Sequence, residues 1–501
     1  MKNLNEPLTD TAVPAPAPES EIRAVYLGLM VVMGLGAIDQ SIVATALPRI
    51  VTDLGGLAHL SWVVTAYVLA STSTMPLYGK LSDQYGRRPL ILFAVALFLV
   101  GSVLCGLSQN MTELIVFRAI QGLGAGGFLP LAQIIIGDLV PPAERARRQG
   151  GIVAVFAVTS VLGPLMGGLI TDLLSWHWIF YVNLPIGAVA IYLIGRALRP
   201  SPKRHARSID YLGSFLLTGS TIAYLLVLSL GGSEWPWASA QVAGTTALGT
   251  VLLLLLLRHV PRAEDPVLPL DLFQNRVFNI GCIVMALAFL GLMGTSVFFP
   301  LFFQMVMGAA PAQSGLLTVP LMIGVVIASV VNGRVLAPTG RYKEAQVLGL
   351  GVATAAFAGL SWGIHAAAGY GLIEPCIFML GLGLGLVMPN MTIVVQTALP
   401  VPRRGVGTAM LTFFRSLGGL IGVTGSGAIL AWEVHAGGLS GPAMAAAAAS
   451  RTPALVELYR TAIAHVFMAG TVLVALALLV LFFLPQQPPT VKPETPMPAP
   501  E

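Results

Sequence analysis

Residues 79–88 read GKLSDQYGRR and follow an apolar run at 60–79. Residues 333–341 read GRVLAPTGR and lie at the end of a second apolar run, at 314–336. Both stretches fit the pattern G-x6-G-R, so the chain carries two copies of one motif at equivalent helix ends. Internal repeats of this kind predict a fold that is built from two related halves.

A second repeated pattern lies further along the chain in each copy. Two apolar runs, 112–138 and 371–397, carry glycines and a proline at the same spacing: Gly122, Gly124, Gly126 and Pro130, then Gly381, Gly383, Gly385 and Pro389. The copies differ in polar residues: the first has Asp83, Arg118 and Gln121 where the second has Ala337, Ile377 and Leu380. We therefore expect the first half to carry the ion chemistry and the second to shape a pocket, although the second half has polar groups of its own.

The composition indicates a membrane protein. The chain has 501 residues, of which 56% are hydrophobic and 10% are charged, whereas soluble proteins have about 25% charged residues. Apolar runs near the length of a bilayer span recur from Ala24 to Leu484. The net charge of +5 lies in short loops without a basic, aromatic stripe, which disfavours a nucleic-acid partner. No nucleophile–base pair, metal-ligand spacing or phosphate loop indicates a catalytic site, a metal site or an enzyme.

Fourteen spans are predicted, which makes the fold all-α. They lie at 24–47, 60–79, 90–108, 112–138, 150–174, 178–197, 210–230, 240–258, 278–303, 314–336, 345–365, 371–397, 406–431 and 461–484. The domains are a six-helix half at 24–197, a linker with two extra helices at 198–277, and a second six-helix half at 278–484. Cytoplasmic, disordered tails are predicted at 1–23 and 485–501.

Loop charge sets the predicted orientation. With a cytoplasmic amino terminus, the inside loops hold nineteen Lys and Arg residues and the outside loops hold three. Positive residues concentrate in cytoplasmic loops, so both termini are predicted to be cytoplasmic in a multi-pass inner (cytoplasmic) membrane protein. One miscounted span would scramble this alternation. The outside loop at 432–460, with its alanine run, receives no function.

Two charged residues within spans are candidates for proton coupling, Asp39 and Arg118. A carboxylate within a span is costly, so it is expected to face the protein interior and to serve a function. Both residues lie at similar depth and are predicted to pair directly or through water. Arginine keeps its charge, so protonation of Asp39 would weaken the attraction and bias the conformation. A purely structural tie between two helices is the alternative.

Two further motifs are candidates for conformational change. The 79–88 loop supplies a latch, Gly79, Asp83, Gly86, Arg87 and Arg88, whose bonds are expected in only one state; plain topogenic charge is the alternative. The fifth span carries Gly163, Pro164, Gly167 and Gly168, where proline bends the helix and glycines permit close contact. Polar candidates for a substrate cavity are Gln121, Gln304, Asn390, Gln396 and Arg415. Trp62, Tyr67 and Phe156 offer aromatic contacts.

These motifs together resemble the fourteen-span drug:proton antiporters of the major facilitator superfamily. The resemblance covers roughly residues 24–484 and rests on the segments 39–48, 79–88, 114–127, 163–168 and 176–187. It implies a major facilitator fold, proton coupling through the fourth-span motif, and antiport rather than import through the fifth. Some members recognise dicationic drugs through acidic residues in the thirteenth span. Here that span has Arg415 and no carboxylate before Glu433, which disfavours such substrates.

The resulting prediction is a proton-coupled multidrug exporter that moves amphipathic cationic or neutral compounds out of the cytoplasm by alternating access. Its expected partners are those substrates, protons and the bilayer, with no cofactor; a periplasmic adaptor protein is neither demanded nor excluded. Export of a dedicated metabolite or lipid is the alternative. A channel is disfavoured by the two-half repeat, and a receptor would need a signalling domain.

Overall fold

The computed structural model describes residues 19–55, 60–199, 210–232, 234–296, 298–336, 339–436 and 452–485. These residues form fourteen long helical segments and no β-sheet. The segments are α1 (Glu19–Leu54), α2 (Leu60–Tyr85), α3 (Arg87–Leu107), α4 (Met111–Leu139), α5 (Pro142–Leu173), α6 (Trp178–Ala197), α7 (Tyr211–Leu230), α8 (Ala240–His259), α9 (Arg276–Val306), α10 (Gln313–Leu336), α11 (Tyr342–His365), α12 (Tyr370–Ala398), α13 (Arg404–Ala436) and α14 (Pro453–Phe482).

The packing of helices repeats between the two halves. In the first half α1 packs on α5 and α6, and α4 packs on α2 and α3. In the second half α9 packs on α13 and α14, and α12 packs on α10 and α11. The halves meet where α2 contacts α13 and where α5 contacts α10, two seams that are equivalent under the same repeat. The predicted internal repeat therefore appears as a repeat of helix packing.

Glycines explain the close packing in both copies of the repeat. A Cβ atom added at Gly124 would lie 2.5 Å from the Phe98 nitrogen on α3. A Cβ atom added at Gly383 would lie 2.5 Å from the Gly349 oxygen on α11. Only a residue without a side chain permits such an approach of two helix backbones. The repeated glycines thus serve the same packing contact in each half.

Twelve helices of the described residues are long and apolar enough to cross a membrane. The two remaining long helices are α2, with 26 residues, and α5, with 32 residues. Both lie at the seams between the halves and carry polar or charged residues, which lowers their hydropathy. The count of fourteen spans therefore stays a prediction.

The two extra helices pack on each other and lie beside the α2–α13 seam. Helix α7 contacts both α2 and α13, and Thr424 donates to the Leu228 carbonyl at 2.7 Å. Beside the same seam, Trp62 Nε1 of α2 donates to Oε2 of Glu234, which lies between α7 and α8, at 3.1 Å. The inserted pair thus touches both halves.

Asp210 fastens the ends of the inserted pair. Its carboxylate accepts hydrogen bonds from the Gly213 nitrogen at 2.8 Å and the Val267 nitrogen at 3.2 Å, and it lies 2.7 Å from His259 Nε2. Burial raises the pKa of Asp210, but the hydrogen bonds from His259 and the two backbone nitrogens lower it more. The net pKa lies below the ordinary value, so the junction holds a charged carboxylate at neutral pH.

Several predicted boundaries shift in the structure. Helix α1 begins at Glu19, inside the predicted disordered tail 1–23. The first turn holds Glu19 and Glu21, which favour a helix amino terminus, and Glu19 pairs with Arg23 at 2.8 Å. The rest of that tail, the tail from 486 onward and the alanine run at 445–449 lie outside the described residues.

Candidate functional site

Asp39 of α1 and Arg118 of α4 form an ion pair inside the first half. Arg118 Nη1 lies 2.6 Å from Asp39 Oδ2, and each residue is 1% exposed. Arg118 Nε donates to the Val63 carbonyl on α2 at 3.3 Å, and its Cζ atom lies 4.2 Å from the centre of the Tyr67 ring. The guanidinium keeps its charge, so it is a fixed counter-charge for the carboxylate.

Three uncharged polar side chains complete the surroundings of the carboxylate. Gln121 Nε2 and Asn183 Nδ2 each donate to Asp39 Oδ1 at 2.8 Å. Ser102 Oγ accepts from Gln121 at 3.3 Å and from Asn183 at 2.9 Å. Both carboxylate oxygens therefore have donors. If the carboxylate were neutralised, the Arg118 guanidinium would remain buried without a counter-charge, which is unfavourable.

The network is assembled by four helices of the first half. Helix α1 supplies Asp39, α4 supplies Arg118 and Gln121, α3 supplies Ser102, and α6 supplies Asn183. Helix α3 reaches α4 because residue 101 is glycine, where an added Cβ atom would lie 2.5 Å from the Gln121 nitrogen. A shift of any one of these helices would therefore change the hydrogen bonds of the carboxylate.

A central cavity lies between the two halves. It has two adjoining parts with volumes of about 430 and 250 Å³, the size range of sites for small molecules. Both parts are lined by Leu129, Phe156, Phe289, Met293 and Arg415. Among the described lining residues Arg415 is the only charged one, and the remainder of the wall is mostly apolar. The predicted aromatic residues Tyr67 and Phe156 line it, whereas Trp62 does not.

Tyr67 separates the cavity from the ion pair. Its ring lines the cavity on one side and covers the Arg118 guanidinium on the other. Ala37 and Gln40, which flank Asp39 on α1, also line the cavity, but Asp39 does not. A bound molecule would therefore contact the helix that carries the carboxylate without touching the carboxylate.

Segment 79–88, predicted as a loop, is helical in the structure except at Gly86, because α2 continues to Tyr85 and α3 begins at Arg87. It joins the two halves at one end of the bundle, called here the basic end. Asp83 Oδ2 accepts a hydrogen bond from the Val406 nitrogen in the first turn of α13 at 2.9 Å. Arg87 pairs with Asp83 at 2.7 Å and with Asp138 on α4 at 3.0 Å. Asp83 thus binds both its own half and the opposite half, the geometry expected of a latch in its closed state.

The other predicted latch residues make further contacts of segment 79–88 or allow its backbone turn. A Cβ atom at Gly79 would lie 2.9 Å from the Gly405 oxygen of α13, so glycine permits close contact between the halves. Gly86 has φ of 91°, in the region that favours glycine, and it makes the turn between α2 and α3. Arg88 donates to the Gly195 carbonyl on α6.

A residue that sequence reasoning missed, Asp265, strengthens this closure. It lies between α8 and α9, is 5% exposed, and pairs with Lys80 near the end of α2. Gln84 Nε2 donates to the same carboxylate at 3.1 Å, and Arg403 of the second half lies 3.9 Å from it. The sequence offers no signal that singles out Asp265, because Glu264 and Asp271 lie in the same predicted inside loop.

Gln396, a predicted cavity residue, belongs to the closure of the basic end. Its Nε2 atom donates to the Gln133 carbonyl on α4 at 3.1 Å and to Thr408 Oγ1 at 3.3 Å. Thr412 of α13 donates to Gln133 Oε1 at 3.0 Å. Met75 and Ser416, one turn beyond these contacts, line the cavity, so the cavity is closed off from the basic end.

The five predicted cavity residues have separate locations. Arg415 lines both parts of the cavity, and Gln121 lies in the Asp39 network. Asn390 forms a reciprocal pair of hydrogen bonds with Asn332, at 3.1 and 2.8 Å. Gln304 donates to Ser314 at 2.9 Å and ties the end of α9 to α10. Apart from Arg415, these residues link helices and do not line the cavity.

The fifth-span glycines pack α5 against α1. A Cβ atom at Gly163 would clash with Ser41, and one at Gly167 would lie 2.9 Å from the Ile42 oxygen. Gly168 has no atom within 4 Å of an added Cβ. Pro164 lies within the continuous helix Pro142–Leu173, and the bend expected of it stays a prediction.

The fold and the site define a two-half helical membrane transporter with a central cavity. A family model described as "Major Facilitator Superfamily" matches residues 29–213 and 201–423. The chain belongs to the major facilitator superfamily, whose members are transporters rather than enzymes. Among the described residues, no group of three or more His, Cys, Asp or Glu side chains is placed to hold a metal ion.

Two similar proteins are named for multidrug transport or multidrug resistance. The chain is 37% identical over 412 residues to "Multidrug transporter protein MdtP" of Bacillus subtilis (strain 168), covering 82% of this chain and 76% of that protein. It is 36% identical over 410 residues to "Multidrug resistance protein 3" of the same organism, covering 81% and 79%.

Solved structures share the fold at low identity. The human organic anion transporter MFSD10 (TETRAN) superposes with a TM-score of 0.61 at 16% identity, covering 90% of this chain and 99% of that one. The proton:xylose symporter XylE superposes with a TM-score of 0.64 at 15% identity, covering 94% and 97%. At these identities the likeness concerns the fold alone.

Proposed function

We propose that this protein exports small amphipathic molecules from the cytoplasm in exchange for protons, by alternating access between its two halves. The observation that carries the proposal is the buried Asp39–Arg118 pair beside a cavity between the halves. The relatives named as multidrug proteins support export of drug-like compounds. In this proposal all fourteen helices span the inner membrane, and the basic end with both termini faces the cytoplasm.

The structure corresponds to the state that is closed to the cytoplasm in this scheme. The Asp83 carboxylate accepts a hydrogen bond from the Val406 nitrogen across the two halves, and Asp39 pairs with Arg118. A proton from the outside neutralises Asp39 and removes the attraction to Arg118. The helices α1 and α4 then shift, and α5 follows because its glycines pack on α1. The shift breaks the latch and opens the cavity to the cytoplasm.

Substrate and proton compete through Tyr67 in this proposal. A substrate in the cavity presses on the Tyr67 ring, which covers Arg118. Contact of the substrate with Tyr67 and Gln40 favours the arrangement in which Arg118 and the ionised Asp39 form an ion pair. Asp39 therefore releases its proton to the cytoplasm. Outward release of the substrate completes an exchange. Binding energy that differs between the two states is what drives such a cycle.

The test is energised transport in proteoliposomes with the cytoplasmic face outward and an acidic interior. We expect several dissimilar amphipathic dyes to accumulate inside, and nigericin, which collapses the pH gradient, to abolish the accumulation. Accumulation that survives nigericin would contradict proton coupling. Accumulation of one natural compound or lipid, with no dye moved, would favour the dedicated exporter instead.

A further inference from the structure

We propose that the central cavity selects amphipathic organic anions, with an aromatic or aliphatic body against its apolar wall and a carboxylate or sulfonate on Arg415. The inference rests on the proposed export function and names its substrate class. It departs from the sequence-based prediction of cationic or neutral substrates, because the charged residue that lines the cavity is Arg415.

Arg415 lies in the centre of the molecule and has no ion-pair partner among the residues that the structure describes. It lies on α13 and lines both parts of the cavity with a partly exposed side chain. The guanidinium carbon lies 4.8 Å from the centre of the Phe289 ring, and no ion pair among the described residues includes it. An ionisable residue inside a membrane protein is costly, so it is a candidate for a functional role. A guanidinium offers a planar fork of donors that matches carboxylate and sulfonate oxygens.

No carboxylate among the described residues offsets this charge in the cavity. Asp39 is paired with Arg118, and Tyr67 lies between this ion pair and the cavity. A lipophilic cation would therefore meet a like charge and no counter-charge. In a site of low dielectric constant such a difference is large compared with the same charges in water.

The rest of the wall suits the apolar body of such a molecule. The apolar lining includes Met33, Phe128, Phe156, Phe289 and Met293. Phe156 is 41% exposed, although it lies between the halves, so its ring is available to a ligand. Methionine side chains adapt their shape to different ligands, which fits a broad set of apolar bodies that share one anionic group.

The experiment compares three probes of similar size on the purified full-length protein: naphthylacetate, naphthylacetamide and naphthylmethylammonium. Equilibrium binding is measured for the wild type and for Arg415→Gln, Arg415→Glu and the surface control Arg341→Gln. We expect the wild type and the control to bind the anion at least about tenfold more tightly than the cation. Arg415→Gln should remove this preference, and Arg415→Glu should reverse it.

Three results would overturn the inference: no binding of naphthylacetate, wild-type binding of the cation as tight as that of the anion, or unchanged anion binding in Arg415→Gln. Uptake of the neutral amide distinguishes failure of the proposed substrate class from failure of the proposed export function. If the wild type and Arg415→Gln both accumulate the amide but neither prefers the anion, export stands and the substrate class falls. If the anion binds preferentially but no probe is accumulated, the substrate class stands and export falls.

Discussion

Arg118 holds together three elements through one side chain. It pairs with Asp39, donates to the Val63 carbonyl and lies over the Tyr67 ring. It also donates to Gln121 at 2.7 Å. Lysine would keep the charge but not the planar fork or the stacking. The arginine geometry, and not only its charge, is therefore expected to matter for transport.

Arg118→Lys should lower the rate of energised transport by at least about tenfold, equivalent to ~1.4 kcal/mol. It should also lower the thermal unfolding midpoint, because several buried contacts are lost. Fluorescence-detected thermal unfolding and vesicle uptake measure the two effects. The matched control is Arg23→Lys, whose pair with Glu19 is exposed and should change neither quantity. Normal transport by Arg118→Lys would show that charge alone suffices.

The sequence singles out Asp39, Arg118 and Gln121 as candidates and misses Asn183 and Ser102. Asp39 and Arg118 stand out because charges are rare in apolar runs. Asn183 and Ser102 do not, because small uncharged polar residues are common in spans and are satisfied by many partners. Their contacts with Asp39 depend on how α3 and α6 pack, which no local pattern encodes.

At the scale of elements, the contact between α1 and α5 links the carboxylate to the seam between the halves. Helix α5 packs on α1 at Gly163 and Gly167. The same helix also contacts α10 and α12 of the opposite half. We therefore expect a displacement of α1 to reach the opposite half through this tightly packed glycine contact.

Gly167→Val should separate α1 from α5 and reduce transport strongly, with a stability cost of about 1–3 kcal/mol from overpacking. The control is one residue away: Gly168→Val introduces the same side chain where no atom lies within 4 Å. Transport assays with both variants at equal expression measure the difference. Equal effects of the two substitutions would show that glycine content alone, and not the α1 contact, matters.

Helix identity was predictable from the apolar runs, but several boundaries were not. Helices α13 and α14 extend to Ala436 and start at Pro453, beyond the predicted spans. Apolarity marks the part of a helix that lies in lipid, whereas capping and pairing decide where the helix itself ends. The Thr452 side chain caps α14 by accepting from the Leu455 nitrogen at 3.4 Å.

At the scale of the whole molecule, closure of the basic end depends on two acidic residues with different origins. Asp83 belongs to segment 79–88, one copy of the repeated motif, and accepts a hydrogen bond from the Val406 nitrogen. Asp265 belongs to the segment after the inserted helices and binds Lys80. The segment that follows the inserted pair thus contributes to the same closure as segment 79–88. The sequence did not indicate this, because the repeat does not set the position of an insertion.

Asp83→Asn combined with Asp265→Asn should shift the population toward a state that is open at the basic end. Spin labels are placed at Tyr85 and Val401, exposed residues of opposite halves that are 53% and 47% accessible. Double electron–electron resonance should then show longer distances between the two labels. Asp271→Asn is the control, since its carboxylate is 53% exposed and pairs with Arg403 at 3.1 Å. An unchanged distance distribution in the double variant would contradict the latch.

The most direct test of the central claim is substrate-induced proton movement in proteoliposomes, followed with a pH-sensitive dye. The wild type and the control Asp172→Asn, which alters an exposed carboxylate, should move protons when a transported compound is added. Asp39→Asn should bind the same compound and move none. Proton movement by Asp39→Asn at the wild-type rate would contradict the account and place the coupling carboxylate elsewhere.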